Sequence, residues 1–150
     1  VAEVAARDSA VSTARRAAAA PSTGLWTEEH LLDRLVRAGV APRKVDEKRS
    51  GAAWMGRESL VFLAGGGELR AWIYPDSVAR RAVTDGLDPE TGTPPGETVP
   101  FAPPMRFVMQ NNLAAVISGG TATNHERIAL ALTAGLPVTT SAPGRATDPQ

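Results

Sequence analysis

The sequence predicts an α+β domain, a small and largely antiparallel sheet of about four strands with helices packed on a face. Three features lead there. Residues 58–74 read as a β-hairpin, two apolar runs around Gly65-Gly66-Gly67. Residues 28–38 carry an apolar stripe at helical spacing behind an N-cap threonine. Residues 123–132 open on Thr123 and Glu126, at capping-box spacing, and continue into an aliphatic run.

The hairpin organises the rest. Leu60, Phe62 and Ala64 alternate with Val61 and Leu63, and across the turn Leu69, Ala71 and Ile73 alternate with Arg70, Trp72 and Tyr74. Alternation puts each set on one face of a sheet. The glycines supply the positive φ angles of a tight reversal without a Cβ cost.

Ahead of it, residues 1–24 form an N-terminal arm and linker. The arm is alanine-rich, and Val1, Val4 and Val11 are its only larger apolar side chains. So little apolar surface leaves two readings, a frayed arm or a helix lying along a partner. The first firm helix is 28–38. Thr27 caps it, Glu28 and Glu29 suit the positive end of its dipole, and Trp26 can staple to Leu31. Leu31, Leu32, Leu35 and Val36 give the core-facing stripe, and Gly39 fits the position after its C-cap. Residues 40–45 hold a short first strand. In 40–57 Arg43, Lys44, Lys48, Arg49 and Arg57 outnumber Asp46 and Glu47, as a solvated loop or a surface for an acidic partner or an anionic lipid surface.

After the hairpin, Asp76 or Ser77 caps a second helix that Gly86 ends, with Val78, Ala82 and Val83 inward and Arg80 and Arg81 outward. Residues 87–104 hold six of the twelve prolines and no apolar period. That loop is a binding surface or a tolerated insertion. Residues 105–118 form the longest strand region, interrupted at Asn111-Asn112 by a bulge or a tight turn. The run Leu113–Ile117 fits a strand buried on both faces. The last helix offers Ile128, Leu130 and Leu132 to the core, and Gly135 and Pro137 stop it. The element order is α-β-β-β-α-β-α, one domain over 25–137 with a C-terminal tail at 138–150.

Composition narrows the function. Lys plus Arg and Asp plus Glu are both 16, so the net charge is zero, against the basic excess that nucleic acid calls for. With no cysteine, disulfides, thiolate metal sites and thiol catalysis are excluded. No run of about 18 apolar residues could span a bilayer. The chain begins at Val1, which favours a cleaved leader over a missing start. The Ala, Arg, Gly and Pro content matches a GC-rich bacterial source.

No catalytic constellation is legible. His30 and His125 are the only histidines, and both read as surface or capping residues. His125-Glu126 opens like a zinc-protease motif, but position 129 is alanine where the second histidine must be. There is no Gly-x-Ser-x-Gly elbow. Gly65-Gly66-Gly67 is followed by a strand, so it lacks the helix N-terminus of a phosphate cradle, and Gly119-Gly120-Thr121 lacks the P-loop lysine. Neither a metal nor a cofactor is expected.

The features Ala38-Gly39, Gly65–Gly67, Trp72-Ile73-Tyr74-Pro75-Asp76-Ser77, Asp85-Gly86, Pro103-Pro104, Asn111-Asn112-Leu113 and Leu132–Gly135 occur in that order. With them, Leu25 to Pro137 resembles a family of small bacterial extracytoplasmic, hypothetical lipoprotein-like domains of unassigned activity. The resemblance implies an α+β fold on the periplasmic side, peripheral to the membrane.

The expectation is a non-catalytic accessory domain that binds another protein, such as a peripheral subunit of a respiratory or photosynthetic membrane complex. Val4, Val11, Arg15, Arg16 and Phe101 are the candidate contacts. The alternative is a small-ligand carrier of the cell envelope, with Trp54, Trp72, Tyr74 and Phe107 lining a pocket between sheet and helices.

Overall fold

The computed structural model describes residues 24–46, 52–135 and 137. Val4, Val11, Arg15 and Arg16, the N-terminal arm before Gly24 and the tail 138–150 lie outside the described residues. The elements run α1 (Glu28–Arg37), β1 (Arg43–Val45), a 3-10 turn (Ala53–Met55), β2 (Leu60–Ala64) and β3 (Gly67–Ile73). They continue with α2 (Ser77–Thr84), β4 (Met105–Gln110), β5 (Leu113–Gly119) and α3 (Ala122–Thr133). The predicted α+β class holds. The described strands all pair antiparallel in one sheet of order β1-β2-β3-β5-β4.

Two tight reversals set the register. Gly65 and Gly66 take φ angles of 60° and 82°, and Ala64 pairs with Gly67. Asn111-Asn112 is a turn: Asn111 takes φ 52° and Gln110 pairs with Leu113. Of the bulge and the tight turn that the sequence allows there, the turn is the one formed, so residues 105–118 are a second hairpin and the described sheet has five strands where about four were expected. Asparagine tolerates the left-handed region, so the reversal needs no glycine. At Gly67 the requirement is space, because a Cβ there would lie 2.8 Å from the carbonyl oxygens of both Ser118 and Gly119.

Alternation divides the core into two layers. Phe62, Ala64, Leu69, Ala71, Val108, Leu113, Ala115 and Ile117 face α1 and α3, meeting Trp26, Leu31, Leu35, Ile128 and Leu132. Trp72, Tyr74, Phe107, Ala114 and Val116 face the other way, against Met55 and Phe101, with Ala79, Val83 and Leu87 packed on them. Helices thus cover both faces, α1 and α3 one, α2 and the 3-10 turn the other. β5 lies between β3 and β4, and Leu113 through Ser118 are all buried.

The helix starts follow cap chemistry. The side chains of Thr27, Asp76 and Thr121 accept from the backbone N–H of His30, Ala79 and Asn124. Thr121, not Thr123, caps α3, two residues closer to the sheet than the capping box suggested.

Two helix faces differ from expectation. On α2, Val78 is 66% exposed and Ala82 is exposed, while Arg80 turns inward. Arg80 Nε donates to Asn111 O at 2.8 Å, and Arg80 Nη1 donates to Thr84 Oγ1 at 3.0 Å. The guanidinium thereby caps the carbonyl of the β4–β5 turn, a role open to no aliphatic side chain. On α3, Ile128 and Leu132 are buried but Leu130 is 66% exposed. The spacing 128, 130, 132 shares a face in a strand; a helix turns position 130 some 200° away from position 128.

Candidate interaction groove

The outward sides of α1 and α3 form a groove of about 470 Å³. From α1 and its C-cap it takes Arg34, Arg37 and Ala38; from α3 and its C-cap it takes Arg127, Leu130, Ala131 and Ala134. These positions recur at three and four residues along each helix, so each set is a stripe along one helix side. The alanines keep the floor low, Leu130 supplies an exposed aliphatic side chain, and all three charged lining residues are cationic.

Arg34 sets the spacing of the two helices. Its Nη1 donates to Ala131 O at 2.9 Å, and its guanidinium lies 4.9 Å from the Trp26 ring centroid. Desolvation lowers its pKa from the arginine value, with Asp33 opposing and Arg37 adding to the shift. It still carries its charge at any physiological pH. Arg37 sits nearer solvent, its Nε donating to Asp33 Oδ1 at 2.9 Å one turn back. Arg127 is exposed.

The sequence-predicted residues lie elsewhere. Phe101 is only 7% exposed and packs in the second core layer, where the Arg70 guanidinium stands 5.3 Å from its ring centroid. Trp72, Tyr74 and Phe107 are buried in that layer, with Trp54 partly buried against it. Trp54 Nε1 donates to Gly92 O at 2.9 Å and the Tyr74 hydroxyl to Met55 O at 2.7 Å. These four aromatics pack as core in the second layer.

Both histidines are buried, not surface residues. His30 Nδ1 lies 2.9 Å from the N-cap hydroxyl of Thr27, and His125 Nε2 lies 2.6 Å from Gly119 O. Each ties a helix start to the chain before it. Among the described residues, no group of three His, Cys, Asp or Glu is placed to hold a metal ion. No described helix is long and apolar enough to cross a membrane.

The groove is not legible in the sequence because Arg34 and Arg37 lie about 90 positions from Arg127, and only the packing of α1 on α3 brings them together. The available signal was Leu130, an aliphatic residue out of phase with the α3 stripe. Searches of protein-family models, curated proteins and solved structures find no match to this chain.

Proposed function

We propose that this chain is a non-catalytic accessory domain that binds another protein, and that the α1–α3 groove is part of the contact surface. The observation that carries this is Leu130, 66% exposed in a groove whose charged lining is all arginine. An exposed apolar side chain beside guanidinium groups fits a protein contact surface, whose buried centre is more apolar than the rest and in which arginine is enriched. The zero net charge favours a protein over nucleic acid as the partner. The sequence resemblance to extracytoplasmic lipoprotein-like domains is the basis for placing it on the periplasmic side as a peripheral subunit of a membrane complex. In that setting Val4, Val11, Arg15 and Arg16 of the arm supply further contacts.

The test is site-directed photocrosslinking in the source cells. A photoreactive phenylalanine at position 130 should give one defined protein adduct, and the same residue at position 78, exposed on α2, should not. Absence of an adduct at 130, or equal labelling from both positions, overturns the groove as the contact surface. Gentle detergent extraction then tests the setting: co-migration with a membrane assembly supports it, and migration as a lone chain removes it.

A further inference from the structure

Resting on that reading, we infer that the groove takes an acidic amphipathic helix of the partner protein, seated between α1 and α3 as a third helix of that layer. Two observations select it. The first is the form of the walls. Both are helix sides and none of the five strands lines the groove, so it offers an incoming chain a surface of side chains and no sheet edge to pair with. An extended segment would leave its N–H and C=O groups unmatched against such walls, whereas a helix satisfies its own. The stripe Arg127–Leu130–Ala134 spans two turns, and Ala38, Ala131 and Ala134 permit the close approach that helix packing needs.

The second observation is charge. Arg37 and Arg127 stand on opposite walls, both exposed, and among the described residues no acidic side chain lines the groove. Asp33 is engaged with Arg37 from outside it. Carboxylates one turn before and one turn after a central leucine or methionine would meet these two guanidinium groups while the apolar side chain packs on Leu130 and the alanine floor. Arg34, already bonded to Ala131 O and stacked on Trp26, fixes the groove width and is not the discriminating charge.

The experiment uses the whole chain and two designed sixteen-residue helical peptides with one central leucine. One carries glutamate and the other lysine at the positions one turn to either side. Fluorescence anisotropy should show saturable binding of the glutamate peptide, about tenfold or more tighter than the lysine peptide and weakened by added salt. Amide NMR shifts should concentrate at residues 34–38 and 127–134. In R37E/R127E, substituted at two exposed positions, the preference should invert with unchanged circular dichroism. Equal affinity for both peptides, loss without inversion in the folded double variant, or shifts centred elsewhere would overturn the acidic helix. Displacement of the glutamate peptide by dodecanoate at equal charge concentration would overturn it in favour of an anionic amphiphile. Photocrosslinking at position 130 separates the two levels. An adduct mapped to a basic or extended segment leaves the protein-binding reading standing and removes this inference, and no adduct removes the reading itself.

Discussion

Asn112 holds the backbone of Trp26 in both directions across a sequence separation of 86 residues. Trp26 N–H donates to Asn112 Oδ1 at 2.8 Å, and Asn112 Nδ2 donates back to Trp26 O at 3.0 Å. The second Nδ2 hydrogen goes to Tyr74 O at 2.8 Å, and Asn112 O accepts from Tyr74 N at 2.9 Å. One side chain in the β4–β5 turn thus fixes the lead into α1 and the exit from β3. Asn112 itself is 1% exposed.

Replacing Asn112 with alanine should therefore cost about 3 kcal/mol or more, since it strands three buried backbone groups. Aspartate should cost more than alanine. It keeps the acceptor but loses both donors and sets a carboxylate against two carbonyl oxygens. Urea unfolding of the two variants checks this, and a loss below about 1 kcal/mol for either would refute the clamp.

Leu130 and Leu132 should separate cleanly. Leu132→Ala, at 0% exposure, should cost about 2–5 kcal/mol. Leu130→Ala should change stability by about 0.5 kcal/mol or less while weakening partner capture at the groove. Comparable unfolding midpoints for the two would mean that α3 is rotated from the position described.

Two adjacent glycines matter for different reasons. Gly66→Ala forces a left-handed φ of 82° on alanine in open space, at about 1 kcal/mol. Gly67→Ala drives a Cβ to 2.8 Å from two backbone carbonyls, so β3 must move off β5, at about 3 kcal/mol. Thermal melts should rank Gly67→Ala well below Gly66→Ala, although only Gly66 has an unusual backbone angle.

Tyr74 gives the domain an alkaline limit. Burial raises its phenol pKa above the ordinary 10.0, with Arg57 and Arg80 pulling the other way. The folded state then keeps a proton that the unfolded chain releases. Its contribution to stability is complete below pH 10.0 and falls as the pH rises toward the higher folded value. Tyr74→Phe should lose about 1 kcal/mol at neutral pH with the hydrogen bond to Met55 O, and should flatten the decline above pH 10.0. Urea midpoints for both proteins across that range decide it; parallel curves would assign the decline to other groups.

The sequence by itself determined the local pieces. Thr27, Asp76 and the glycine pair mark their elements because a cap or a turn is made by residues within a few positions of each other. Alternation in β3 also determined which side chains share a face. Asn111-Asn112 was legible only as an interruption, since a bulge and a two-residue turn begin with the same residues.

What the tertiary structure decided is which partner each amphipathic element meets. Arg80 turns inward on α2 because the Asn111 carbonyl lies there to receive it. Phe101 belongs to the core because the outward face of the sheet presents Trp72, Phe107 and Val116 to the same buried layer, with the Arg70 guanidinium over its ring. The groove exists because Leu31 and Leu35 of α1 share one buried layer with Ile128 and Leu132 of α3, and Arg34 bridges the two helices to Ala131 O across 97 positions of chain. Spacing along a chain carries interactions within a turn or a hairpin. Contacts between elements depend on how those elements stack, and that is settled by burial of the whole sheet on both faces at once.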